Sequence, residues 1–287
     1  MKDEAIGIIG GSGLYELEGM KNVREERVST PFGDPSDAYI VGELSGRKMV
    51  FLPRHGRGHR LLPGELNYRA NIWGMKKLGV GRIIAVAACG SMREDIHPGH
   101  LVVPDQFIDL SKNRVTTFFG DGIVAHLVYA DPVCSELSHV VYEAGVSVGA
   151  VMHMGGTYLN MEGPQFSTRA ESRVYQSWGV SVIGMTNAPE AKLAREAEIC
   201  YSTLALSTDY DCWHETEDDV TIETVLEVMR ANIVKSKKVI AEAVKSIPKE
   251  RKCGCADALK NAIITDPNAI PAKTKKRLEL IIGKYIK

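Results

Sequence analysis

The run at residues 82–88, Arg-Ile-Ile-Ala-Val-Ala-Ala, is almost continuously apolar. A strand of that composition belongs in a sheet covered on both faces. Similar runs recur at 101–103, 148–152, 180–185 and 201–206, preceded by strand patterns at 2–13 and 48–53. Helical spacing predicts helices between them, over 66–77 with Ala70, Ile72, Trp73 and Met75 on the apolar face, and over 132–144, 168–178 and 189–198. From 221 onward Ile222, Val225, Leu226, Met229, Ile233, Ile240 and Val244 predict one long amphipathic helix to about 246. Two shorter helices follow at about 256–263 and 271–285, the second with a proline at its start. Strands alternating with helices predict an α/β fold with a central parallel or mixed sheet flanked by helices, and functional residues at the strand ends. No linker interrupts the 287 residues, so the expectation is a single domain, 1–287, with a core over about 5–247 and a C-terminal helical extension over about 248–287.

Apolar residues at 44% and charged residues at 25% fit an ordinary globular core and exclude disordered and fibrous classes. A formal charge of −1 supplies no global field for nucleic acid or an acidic membrane, so an anion must be held by a local constellation. No run reaches transmembrane length, and the expected location is cytoplasmic. The six cysteines lack paired C-x-x-C blocks, so no structural metal is expected. Cys253-Gly-Cys255 can close a strained disulfide, but the expectation is reduced thiols.

Asp209 and Asp211 follow the apolar run 201–206 at i, i+2. At the end of a buried strand that spacing aims two carboxylates at one spot; a solvated Asx turn is the alternative. Such a pair accepts from an exocyclic amine and, with one member protonated, donates to a ring nitrogen, which is the pattern of the adenine edge. Gly10-Gly11-Ser12-Gly13 after the first strand suits a phosphate nest or a tight turn. Arg54-His55-Gly56-Arg57-Gly58-His59-Arg60 follows a strand and suits either a dianion site or a solvated basic loop. Ala87-Ala88-Cys89-Gly90-Ser91 ends a strand in small residues against which a ligand can sit. Glu162, Phe166 and Ser167 share one loop, and Met185-Thr186 leads into a helix start where anions are favoured.

In order and spacing, IGIIGGSGLY, RHGRGH, NYRANIW, ACGSMRE, PDQFID, EGPQFSTRAES, GMTNAPEAKLAREAEICY and STDYDCW resemble the trimeric purine nucleoside phosphorylases, over about 6–243. The resemblance implies cleavage of a purine N-glycosidic bond by inorganic phosphate, without metal or organic cofactor. It implies phosphate held by Gly11, Ser12, Arg54, His55, Ala88 and Thr186, with Ala87 standing where a relative has a threonine. It implies nucleoside contacts from Phe166, Ser167 and Met185, with Asp209 at purine N7 and Asp211 at the 6-amino group as the catalytic pair. Ile222 and Leu226 would line an apolar 5′ pocket, reached by His126 of a neighbouring subunit in a homotrimer or a dimer of trimers. Asn187 departs from the threonine of close relatives, beside the sugar and base. Cys134, Cys200 and the Cys253-Gly-Cys255 pair fall where some archaeal relatives form disulfides. The implied substrate is 5′-methylthioadenosine, giving adenine and 5-methylthioribose 1-phosphate. Phosphorolysis of 6-oxopurine nucleosides (methylthioinosine, inosine or guanosine), or of purine nucleosides broadly, is the alternative, ahead of a hydrolase or a non-catalytic purine-binding protein.

Overall fold

The computed structural model describes residues 4–11, 14, 17–214 and 222–286, with side chains in the last range from 227 onward. The strands are β1 (Ala5–Gly10), β2 (Lys21–Glu26), β3 (Tyr39–Leu44), β4 (Arg47–Pro53), β5 (Val80–Ser91), β6 (Leu101–Val103), β7 (Gln106–Asp109), β8 (Met152–Met154), β9 (Thr157–Asn160), β10 (Val180–Gly184) and β11 (Cys200–Asp209). The helices are α1 (Tyr68–Lys77), α2 (Ser135–Ser147), α3 (Arg169–Ser177), α4 (Asn187–Glu196), α5 (Ile222–Ser246) and α6 (Ala272–Ile282).

The strands form one mixed sheet that branches at β5. The main path runs β2-β3-β4-β1-β5-β10-β9-β7, while β11 leaves β5 to carry β6 and β8. The pleat explains why the core strands carry apolar residues at successive positions. Ala5 and Ile9 of β1, Val50 and Leu52 of β4, and Ile83 and Ala85 of β5 pack on one face with Ile72 and Met75 of α1, Leu193 of α4 and Leu278 of α6. Ile6 and Ile8, Met49 and Phe51, and Ile84 and Val86 pack on the other with Val141 of α2 and Val239 and Val244 of α5. The C-terminal extension joins the first of these cores through Leu259, Ile270 and Leu278.

Four strands, β2, β3, β7 and β9, lie where the sequence predicts none. β2, Lys-Asn-Val-Arg-Glu-Glu, has no apolar face and exists through its antiparallel pairing with β3. β3 is apolar but sits in a turn-rich stretch, and β7 has only four residues, paired parallel to β9. The strand predicted over 148–152 begins only at Met152, because α2 runs to Ser147 and Val148 caps it. The helix predicted over 256–263 is a 3-10 turn at Gly254–Asp257 followed by turns. Among the described residues no helix is long and apolar enough to cross a membrane.

Candidate active site at the strand ends

Parallel pairing of β1 with β4 and β5, and of β5 with β11, brings four carboxyl-terminal strand ends to one edge. Gly10 of β1 lies opposite Pro53 of β4, and the Arg54 N–H donates to the Gly10 carbonyl at 2.8 Å. Gly11 and Arg54 therefore leave the sheet side by side. A Cβ added to Gly11 would meet nothing within 4 Å, so its backbone faces open space. Ala88 alone in β5 is exposed, although its strand neighbours are buried, so the strand opens onto a cleft there. β10 runs antiparallel to β5 with Ile183 opposite Gly90, which carries the following Met185 and Thr186 back toward Ala88.

Gly90 is the floor between the two carboxylates and β10. A Cβ there would stand 3.0 Å from Asp209 Oδ1, 3.2 Å from Ile183 Cγ2 and 3.3 Å from Asp211 Cβ. Asp209 ends β11 opposite Gly90. Asp211 lies in the turn beyond, with φ 52°, and its N–H donates to Asp209 Oδ1 at 2.8 Å. The two acids thus meet through an Asx turn rather than through strand pleat, and that turn is sheltered rather than solvated. The Thr208 hydroxyl donates to Asp209 Oδ2 at 2.6 Å, and Ser172 of α3 donates to Asp211 Oδ2 at 2.6 Å. Burial pushes both carboxyls above the usual range, with the Asp211 charge adding to the rise at Asp209 and the hydrogen bonds opposing it.

Arg54 is buried and its fork is occupied. Nε and Nη2 bind Glu190 of α4 at 2.6 and 3.0 Å, and Nη1 donates to the Val86 carbonyl at 2.8 Å. Glu190 is fully buried and needs this countercharge. Tyr201 also donates to Glu190, at 3.0 Å, and Asn187 donates to Tyr201 at 2.9 Å and Thr203 at 3.0 Å. Asn187 is therefore turned into the core beneath the cleft, fully buried, not toward a sugar or base. His55 Nδ1 lies 2.8 Å from the Leu61 carbonyl, which accepts its proton, and its ring stacks on His59 at 4.3 Å. Burial and the neighbouring Arg54 push its pKa down to about 4, so it is neutral at pH 7 with Nε2 unprotonated. Thr186 is the buried N-cap residue of α4, whose first N–H groups point toward the cleft end of the helix.

The loop 161–167 is fastened by a residue that sequence reasoning missed. Arg114 donates to the carbonyls of Met185 and Glu162 and, at 3.1 Å, to Tyr68 Oη. Its side chain is 1% exposed. Arg114 sits in a polar loop with no periodic pattern, so only the fold reveals its role. Gly163, with φ 69°, lets the loop approach Met185, whose sulfur would lie 2.5 Å from a Cβ at 163. Ser167 lies beside Asp211 and offers its carbonyl to the Cys212 thiol at 3.3 Å. Phe166 is 65% exposed and its ring is open to a ligand. His126 is exposed on a segment that pairs with the C-terminal part of the chain, its N–H bonded to the Ala262 carbonyl at 2.9 Å. Ser12 and the side chains of Ile222 and Leu226 lie outside the described residues.

Residues 5–245 match the phosphorylase superfamily. The chain is 63% identical over 285 residues to an S-methyl-5′-thioadenosine phosphorylase of Geobacter sulfurreducens, covering 99% of this chain and 100% of that one. A methylthioadenosine phosphorylase crystal structure from an antarctic soil metagenomic library superposes with a TM-score of 0.93 at 47% identity, covering 98% and 99% of the two chains. A Schistosoma mansoni adenosine/methylthioadenosine phosphorylase, a mutant in complex with methylthioadenosine, superposes with a TM-score of 0.80 at 36% identity over 90% and 96%.

Proposed function

The chain belongs to the phosphorylase superfamily, and from that premise we propose that it is an S-methyl-5′-thioadenosine phosphorylase, cleaving 5′-methylthioadenosine with inorganic phosphate to adenine and 5-methylthioribose 1-phosphate. The observation that carries the reading is the Asp209–Asp211 pair, two sheltered carboxyls with raised pKa values standing over the Gly90 floor beside the open end of β5. A phosphate oxygen attacks the sugar C1′ as the bond from C1′ to purine N9 breaks. The electron pair goes to the base, and a proton from the Asp209 carboxyl neutralises it at N7. The ionised Asp211 accepts from the 6-amino group, a contact that a 6-oxo acceptor would lose to repulsion.

Phosphate is held at the edge where β1, β4 and β5 end, by backbone N–H groups at Gly11 and Ala88, the Thr186 hydroxyl at the α4 N-terminus, and Ser12. With the Arg54 charge offset by Glu190, the anion relies on oriented N–H groups more than on a free cation. Neutral His55 presents Nε2 as an acceptor for a phosphate hydroxyl. Met185 and Phe166 pack the sugar and base, Ser167 orients Asp211, and Ile222 and Leu226 take the methylthio group. Exposed His126 serves the 5′ pocket of a neighbouring subunit in a homotrimer.

Base release from methylthioadenosine, adenosine, methylthioinosine and inosine, each with and without phosphate, tests the proposal. Rapid phosphate-dependent release of adenine from methylthioadenosine is expected. Release that is undiminished without phosphate, or faster from the 6-oxo nucleosides, would overturn it.

A further inference from the structure

Four of the six cysteines, 66 and 53 residues apart along the chain in two steps, converge at the far end of β11 from the carboxylate pair. Cys134 immediately precedes α2, Cys200 opens β11, and Cys253 and Cys255 flank Gly254 at the 3-10 turn. Their four sulfurs all lie within 4.8 Å of one another, and Cys200 Sγ and Cys253 Sγ are 3.4 Å apart. We propose that Cys134, Cys200, Cys253 and Cys255 bind one zinc ion through four thiolates and so pin the C-terminal extension to the core.

Geometry favours a metal over two disulfides. Four sulfurs at a Zn–S distance of about 2.3 Å stand about 3.8 Å apart at the corners of a tetrahedron. The cluster needs adjustments of only about an ångström to reach that shape. A disulfide instead draws one pair to about 2.05 Å and singles out a partner for each sulfur, whereas here all four are mutual neighbours. Charge argues the same way. Four thiolates around a dication carry two net negative charges, and two guanidinium groups stand by: Arg195 Nη1 is 3.8 Å from Cys255 Sγ, and Arg251 lies beside Cys200 and Cys253. Arg251 is also paired with Glu4 at 2.6 Å, so the charge argument rests on Arg195, to which neutral disulfides would present no thiolate. Three of the four cysteines are buried and the fourth half-buried, so the coordination is complete and closed, as in structural rather than catalytic zinc sites. Each thiol releases its proton as its Zn–S bond forms, and no oxidant is consumed. The sequence expectation of no structural metal rested on the absence of C-x-x-C blocks, but the ligands here come from three separate segments.

Elemental analysis of the full-length protein, purified without chelator and dialysed, is expected to find about one zinc per chain. Exchange with cobalt(II) is expected to give thiolate-to-cobalt charge-transfer bands, and the double variant Cys253→Ser/Cys255→Ser to lose the metal. If that variant does not fold, titration of the intact protein with an organomercurial is expected to release zinc to a chromophoric indicator as the thiols react. Metal-free protein with an intact mass four hydrogens short would overturn the proposal in favour of two disulfides. Metal-free protein with all four thiols open to alkylation after denaturation would overturn it equally. None of these readouts depends on turnover.

Discussion

Asp209 is a carboxylate that its surroundings make a weak acid. Its strand is buried up to Thr208 and Asp209 is partly buried, and the neighbouring acid shares the same sheltered turn. Both effects favour the protonated form, while the Thr208 hydroxyl and Asp211 N–H favour the ionised one. The balance suits a group that gives a proton to a departing base and takes it back. Asp209→Asn keeps the shape and can still accept from Asp211 N–H, but has no acid proton. It is expected to lower kcat on methylthioadenosine by about 10² to 10⁴, with a much smaller change in KM. Steady-state base release at saturating phosphate checks this; an unchanged kcat would remove Asp209 from the proton transfer.

At the scale of elements, the cleft is the consequence of β5 pairing with three partners. β1 and β11 follow it in parallel, whereas β10 meets only its end in the opposite sense, which splays the sheet where Gly90 and Ala88 lie. Arg114 holds the two sides of that split together by tying the 161–167 loop to the carbonyl after β10. Arg114→Met fills the space without the hydrogen bonds. A loop displaced by about 1 Å can cost up to about 10²-fold in turnover. The expected outcome is a KM for nucleoside raised at least about tenfold with the KM for phosphate little changed, because the proposed phosphate edge is built from β1, β4, β5 and α4. Varying each substrate in turn separates the two; equal shifts in both would show that the clamp supports the fold generally.

For the molecule as a whole, Glu196 couples pH to stability. It closes α4 and binds a crossing segment, accepting from the Thr117 hydroxyl and the Phe118 N–H, each at 2.6 Å. Burial raises its pKa from the usual 4.5 to about 7. The folded state therefore binds more protons than the unfolded chain between these values. Its contribution is fully present below about pH 4.5 and is lost as pH rises through about 7. Glu196→Gln cannot ionise, so its melting temperature relative to wild type is expected to rise from pH 5 to pH 8. Other groups titrate in this window in both proteins, so the difference between the two melting curves isolates Glu196. Parallel curves would contradict the assignment.

The α/β class, the core strands at β1, β4, β5, β10 and β11, and the long α5 were legible because doubly covered strands and amphipathic helices write local, periodic patterns. The glycine, basic and acidic motifs were legible because each follows such a strand. Long-range pairing decided the rest. β2 is a strand only because β3 offers it an edge. Arg54 faces Glu190 only because α4 folds beneath the cleft, and Asn187 points inward for the same reason. Arg114 acquires its partners from three other segments, and the four cysteines likewise meet from three. Sequence alone determined which residues could carry the chemistry, since side-chain type and local spacing are written in the chain. The tertiary structure decided which charges are free and which are neutralised, because burial and counter-ions are properties of the packed neighbours.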